Sequence, residues 1–474
     1  MLTVVILGTS GGPFEVNTQS FLVKQNDRSY LSVDCGCGLS SICNLFRKKG
    51  YEQNVNLYET FDTYNVEDSS EKRWAEYRKK VVRLTDPNVN VAFKEPDNVY
   101  GENLMLKTAN FYSCISHYFI THPHLDHISG MILNSPFIFD PYFFSKGLEV
   151  EGRASELTSV GGNGKRTNNT AKSHKNNKRT TSDRSCSAVE KPKGYDIIKP
   201  LQKTFYGFHH TIKSIETHIF NCEIWPNLLY KNEEFLKTQI LQPHEKVVIP
   251  AQRKLHSKPS LRSVNDEGKE NTEEEEEEEE RGDLKDSFEV TGFPILHGKN
   301  VMNPKACVLS SCFYIADKSS KESLIMFGDC ESDSVYLPRL WNFLADEILV
   351  KGFVLKGIFI ECSTVDMINV GFELLNTEKL YGHFIPFTLC QELLSFKSII
   401  DEKLQASNKE HNTLANPYQD VFPINVFITH VKQTVTLDDP RYTILQQLKE
   451  HAVKNNINEL FKFSIALNSH TYTL

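Results

Sequence analysis

Residues 118–130 read YFITHPHLDHISG, with three histidines and an aspartate packed into positions 122–127 directly after an apolar run. His122, His124, Asp126 and His127 are side-chain types that hold divalent metals such as zinc. The stretch Ser113 to Thr121 reads as a strand buried on both faces, and the spacing of Ile128, Met131 and Ile132 predicts a helix starting near Asp126. The cluster therefore lies on a strand-to-helix turn, where sheet-based enzymes usually place their chemistry. On an extended segment His122 and His124 point the same way and can share one metal. Asp126 and His127, past the turn, can reach a second metal beside it.

Two metals need more than four ligands. A further histidine from a distant strand end is expected, together with a carboxylate able to bridge both ions. His297 follows FPIL, Asp329 follows LIMFG and His430 follows VFIT, so each is a ligand type at the end of an apolar run. Glu361 in IFIECS and Asp34 at the end of YLSVD also close apolar runs, and each has the chemistry to orient a ligand histidine from behind.

Working outward, residues 3–7, 20–23 and 30–33 read as strands, and Leu39, Ile42, Leu45 and Phe46 lie at helical spacing. Later strands are expected at 246–250, 287–298, 311–317, 322–329, 356–363 and 424–430, with helical patterns at 334–350, 386–400 and 442–455. Strands first, then alternating strand and helix, imply sheets covered by outer helices. Residues 151–193, a mixture of Ser, Asn, Thr, Gly and Lys, and 253–286, with the run Glu273 to Glu280, are too polar to offset their ordering entropy. Both read as disordered insertions in a single catalytic domain spanning 1–474.

Those insertions account for a hydrophobic fraction of 39% and a mean hydropathy of -0.39. The net charge of -8 argues against a dedicated nucleic-acid binder, which needs clustered Lys and Arg. The eleven cysteines show no regular C-x-x-C pairing and read as reduced thiols, and no apolar run is long enough for a membrane span; a cytoplasmic protein is expected. His209, His210 and His218 fall on a helical pattern and read as surface or packing residues. GTSGG (8–12) reads as a tight turn, since no G-x-x-x-x-G-K-[ST] follows to make a P-loop.

The H-x-H-x-D-H turn, a lone His, an Asp after strand-Gly and a final strand-Thr-His resemble the metallo-β-lactamase superfamily. Within it, THPHLDHISGMILNSP, with ILGTSGGP, VDCGCGLSSI, IFIECST and YGHFIP, resembles the class II cyclic nucleotide phosphodiesterases. Cys35 and Cys37 stand where smaller, less reactive residues are expected. The resemblance implies an α/β fold, a metallo-β-lactamase-like αββα sandwich of two facing mixed sheets under outer helices. It implies two zinc ions, with His122, His124 and His297 on one, Asp126, His127 and His430 on the other, and Asp329 bridging.

The implied reaction is hydrolysis of 3′,5′-cyclic AMP, with cyclic GMP as a second candidate substrate, to the 5′-nucleotide by a hydroxide shared between the metals. Asp126 would orient that nucleophile, and His383, in YGHFIP, would protonate the leaving oxygen or stabilise the phosphate. Neither nucleic acid nor membrane is expected as a partner, and a homodimer is left open. Two alternatives stand beside this reading. One is a tRNA 3′-processing endonuclease of the same superfamily, with 151–193 imitating its tRNA-gripping arm. The other is a non-catalytic, metal-free scaffold or binding protein.

Overall fold

The computed structural model describes residues 1–13, 15–27, 29–46, 79, 82–92, 104–139, 203–231, 236–251, 287–299, 303, 307–366, 382–411, 421–432 and 438–474. The chain divides into two compact units, Met1–Phe139 with Pro200–Leu474, and Asp140–Lys199; all the described residues belong to the first. The insertions expected at 151–193 and 253–286 lie outside the described residues.

The first sheet contains β1 (Thr3–Gly8), β2 (Ser20–Asn26), β3 (Ser29–Val33), β4 (Asn90–Ala92), β5 (Ile115–Phe119), β6 (Lys203–Phe208), β7 (Leu236–Leu241) and β15 (Thr471–Thr473), in the order β4-β15-β1-β2-β3-β5-β6-β7. The second contains β8 (Lys246–Ile249), β9 (Phe288–Lys299), β10 (Cys307–Asp317), β11 (Glu322–Phe327), β12 (Val354–Glu361), β13 (Ile424–Thr429) and β14 (Phe461–Ile465), in the order β14-β13-β12-β11-β10-β9-β8. Both are mixed: β3, β5, β6 and β7 run parallel, as do β11 to β14, and the other pairings are antiparallel.

Period-two alternation decides which side chains face which layer. Val4, Ile6 and Phe21 of the first sheet meet Phe313, Leu324, Met326, Phe359 and Phe427 of the second, and the sheets pack face to face. The alternate residues Phe327, Ile358, Ile360 and Ile428 pack outward under three helices, α6 (Tyr336–Leu349), α7 (Pro386–His411) and α8 (Pro440–Lys454). Burial on both faces explains why these strands read as continuous apolar runs. The first sheet is covered by α1 (Leu39–Leu45), α2 (Leu104–Ser113) and α3 (Leu125–Phe139), with Phe111 of α2 packed on Tyr30 and Phe46 at ring separations of 4.9 and 5.5 Å. Two short helices, α4 (His209–Ser214) and α5 (Leu228–Lys231), follow β6. No helix among the described residues is long and apolar enough to cross a membrane.

The αββα sandwich is the expected fold, and most of the expected elements are present within a few residues. The strand predicted over 113–121 is shorter, because α2 runs to Ser113 and β5 begins at Ile115. An apolar run that crosses from a helix into a strand has no single period to reveal the boundary. The C-terminal strands β14 and β15 were not expected. β15 is held by pairing with the distant β1, Val4 opposite Tyr472, which no local pattern announces.

Candidate metal centre

Parallel strands of both sheets deliver their C-terminal ends to one edge of the sandwich. His122 follows β5, Asp329 follows β11, Glu361 ends β12, His430 follows β13 and Asp34 follows β3. His297 comes instead from an antiparallel strand, and a bulge aims it. Between the pairs Leu296↔Leu309 and Lys299↔Cys307, His297 and Gly298 together oppose the single Val308, and Gly298 has φ 74°. The backbone is strained at two of these positions: Asp34 (φ 56°) and His430 (φ 55°) are non-glycine residues in the left-handed region, a cost that the surrounding contacts hold in place.

The seven expected ligands converge. His122, His124, His297 and Asp329 offer donor atoms all within 4.8 Å of one another, and so do Asp126, His127, Asp329 and His430, with Asp329 common to both groups. His127 Nε2 and His430 Nδ1 each lie 3.2 Å from Asp329 Oδ1, while His122 Nε2 and His297 Nε2 lie 3.7 and 3.6 Å from Oδ2. The two carboxylate oxygens thus face the two histidine sets separately. Asp126, 27% exposed at its side chain, sits at the rim with Oδ2 3.8 Å from His127 Nε2 and 3.7 Å from His430 Nε2.

Whether this pocket suits metal ions can be judged from its own atoms. His122 Nε2, His127 Nε2, His430 Nδ1 and Asp329 Oδ1 are buried with no hydrogen-bond partner, although burying an unsatisfied polar atom costs about 1–3 kcal/mol. His127 Nε2, His430 Nδ1 and Asp329 Oδ1 fall in one donor group and His122 Nε2 in the other, so each group offers buried, unpartnered donors that fit a cation.

In three of these histidines the opposite ring nitrogen is engaged from behind, as in metal-binding histidines generally. His127 Nδ1–H donates to Asp34 Oδ2 at 2.7 Å, and His297 Nδ1–H donates to the Gly382 carbonyl at 2.9 Å. His122 Nδ1 lies 3.1 Å from the Thr121 hydroxyl and 3.3 Å from that of Ser310. Asp34 is wholly buried and also accepts from Thr121 N at 2.8 Å, the Thr121 hydroxyl at 2.9 Å and Gln19 Nε2 at 3.1 Å. Sequence reasoning does not find Thr121, Gln19 or Ser310. Thr121 adjoins His122 in the motif, but Gln19 and Ser310 reach the site only through tertiary pairing.

The charges follow from burial and neighbours. Burial, with His127 adjacent, holds His122 well below the ordinary imidazole range, and burial does the same to His430. Neutral rings are the form that binds metal. Burial also opposes charge on His127, but Asp329 and Asp34 outweigh it and hold this imidazole well above its ordinary value. Burial would raise Asp329, yet His430 and His127 keep its carboxyl well below the usual range.

His383 stands beside the cluster, its ring 5.0 Å from that of His297 and 5.4 Å from that of His430. Its Nδ1 donates to Glu361, 2.9 and 3.0 Å from the two carboxylate oxygens. Glu361 is itself fixed by Cys330 N at 2.6 Å and the Ser363 hydroxyl at 2.5 Å. Expected to orient a metal ligand, Glu361 holds His383 instead. Burial works against a charge on His383, but Glu361 and Asp329 overcome it and hold the ring above its ordinary value.

Two glycine-rich turns close the site. A Cβ on Gly11 would lie 2.4 Å from His430 Cδ2, so the tight turn at 8–12 packs directly on a candidate ligand. A Cβ on Gly36 would lie 1.8 Å from the Asp126 carbonyl, while Cys35 N and Gly36 O bond to His127 O and Gly130 N. The VDCGCG segment therefore cradles the first turn of α3, and Cys35 and Cys37 are buried beside it as free thiols.

An αββα sandwich with seven imidazole and carboxylate side chains, in groups able to hold divalent metal ions, gathered at one edge defines a metallo-β-lactamase-fold protein. A model of the class-II cAMP phosphodiesterases matches residues 69–469, and the chain belongs to that family. It is 27% identical over 493 aligned residues to the 3′,5′-cyclic-nucleotide phosphodiesterase 1 of Saccharomyces cerevisiae, with 99% of each chain covered. It is 24% identical to the 3′,5′-cyclic-nucleotide phosphodiesterase of Candida albicans, covering 98% of each. The solved structure of unliganded yeast PDE1 matches its fold with a TM-score of 0.62 at 24% identity, over 100% of this chain and 99% of that one.

Proposed function

We propose that the phosphodiesterase reaction of this chain, hydrolysis of 3′,5′-cyclic AMP to 5′-AMP, takes place at this cluster with zinc as the ion. His122, His124 and His297 would hold one ion, Asp126, His127 and His430 the other, and Asp329 both. The observation that carries the assignment is the pair of donor groups that meet at Asp329, with His122 Nε2, His127 Nε2, His430 Nδ1 and Asp329 Oδ1 buried and unpartnered, in a chain of this family. When bound, two such cations supply acidity to a water and neutralise charge on phosphodiester oxygens.

The protein's own residues supply the remaining steps. Asp126, the one partly exposed carboxylate of the cluster, takes the proton of the attacking water and orients it towards phosphorus. The P–O3′ bond breaks, and His383, whose Nδ1 is committed to Glu361, delivers a proton from Nε2 to the departing 3′ oxygen. Glu361 favours the protonated ring that this step needs. The whole of 1–474 acts as one catalytic domain, with 151–193 and 253–286 as insertions, and works in the cytoplasm.

Incubating the purified protein separately with cyclic AMP, cyclic GMP and precursor tRNA tests this reading. Release of 5′-AMP by the wild type and its loss in Asp329→Asn is expected. Cleavage of the tRNA with no turnover of cyclic nucleotide would overturn it.

A further inference from the structure

A cavity of about 510 Å³ lies away from the metal cluster, where β6 and β7 end beside β9, β10 and α6. Its size is that of small-molecule sites, and none of the seven candidate ligands lines it. Phe208, Phe293 and Leu309 form apolar walls, and the His244 ring meets Phe293 edge-on at 4.9 Å. The polar lining contains His209, His210 and Arg339 but no carboxylate, although the chain has 61 acidic residues against 53 Lys and Arg.

Two carboxylates near in sequence are already engaged: Asp333 accepts from Val335 N at 2.6 Å, and Glu245 from Gln242 N at 2.9 Å. Among the described residues the exposed Arg339 guanidinium has no ion-pair partner. An unpaired guanidinium beside aromatic walls suits a planar heterocycle carrying an anion.

The cavity lies behind the metal centre. His210 Nε2–H donates to the Leu309 carbonyl at 3.0 Å, and the next residue, Ser310, has its hydroxyl 3.3 Å from His122 Nδ1. That nitrogen is on the side of the ring away from Asp329, so a phosphate at the cluster and a ligand in the cavity occupy different places. We propose that this cavity is a second, non-catalytic site for a purine nucleoside monophosphate, with the base against Phe208 and Phe293 and the phosphate on Arg339. The choice of nucleotide rests on the phosphodiesterase reading, since 5′-AMP is the product of that reaction and cyclic AMP shares its chemistry.

The test is calorimetric titration of the metal-loaded full chain with 5′-AMP, a hydrolysis-resistant cyclic AMP analogue and adenosine. For 5′-AMP, two sites are expected in the wild type and in Arg339→Lys, and one in Arg339→Glu, with the second weakened at least tenfold. The same loss in His209→Glu serves if Arg339→Glu does not fold. Adenosine should bind the second site at least tenfold more weakly than 5′-AMP, and the arm with the hydrolysis-resistant analogue shows whether substrate or product is the better occupant. An equal number of sites in the wild type and in the charge-reversed variants, or adenosine binding as well as 5′-AMP, would overturn the proposal. A wild type that binds 5′-AMP in an Arg339-dependent way but does not hydrolyse cyclic AMP would instead defeat the phosphodiesterase reading and leave this site standing.

Discussion

Asp34 touches no metal, yet replacing it with asparagine should weaken metal binding. The change is one atom in size, but every neighbour of the carboxylate is a donor. Oδ1 takes Thr121 N, and Oδ2 takes His127 Nδ1 at 2.7 Å and Gln19 Nε2 at 3.1 Å. An asparagine that keeps the bond from Thr121 N must turn its own NH₂ towards His127. The ring then accepts at Nδ1 and carries its proton on Nε2, the atom that faces Asp329 at 3.2 Å. A protonated Nε2 cannot ligate. Loss of such a supporting carboxylate costs about 10- to 100-fold in metal affinity, or about 1.4–2.7 kcal/mol. Competition against a chelator of known strength measures it, with the melting temperature as a check on folding. A folded Asp34→Asn protein with wild-type affinity would refute the tautomer argument.

Three further outcomes are expected. His383→Asn should lower kcat by about 10²- to 10⁴-fold with little change in KM, and the loss should shrink for a phosphodiester whose leaving group needs no proton, as steady-state kinetics with the two substrates will show. Gly11→Ala should displace His430 and lower both activity and metal content, because its new Cβ would sit 2.4 Å from that ring; metal analysis of the folded variant checks it. Burial lowers His470 from 6.5 to about 4, so the unfolded chain takes up this proton first as the pH falls; stability holds above pH 6.5 and is lost between 6.5 and about 4, by about 3 kcal/mol. Urea midpoints against pH should show that loss and a flatter profile for His470→Gln.

The central strands and the convergence of the candidate metal ligands were legible for one physical reason. A strand buried on both faces is a short apolar run, and a ligand must follow at its end, where the chain leaves the sheet. His122, Asp329 and His430 all announce themselves in this way. His297 does so less clearly, because a bulge within β9 sets its direction. Glu361 is found by the same reasoning but given the wrong neighbour: which histidine it holds depends on the loop before α7, not on β12. Gln19 and Ser310 carry no local signal at all, since their roles arise from contacts with Asp34 and His122 across 15 and 188 residues of chain. His209 and His210, ordinary helix residues by their sequence pattern, line a cavity that forms only when the two sheets meet.

The most direct test of a two-ion centre is activity against metal content. Protein stripped by chelator is reloaded with zinc in measured equivalents, and 5′-AMP release from cyclic AMP is followed at each step. Activity should be absent from the stripped protein and reach its full value only as the second equivalent is bound, with 5′-AMP the sole nucleotide product. Full activity in the stripped protein, or saturation at one equivalent, would contradict a centre in which Asp329 serves two ions.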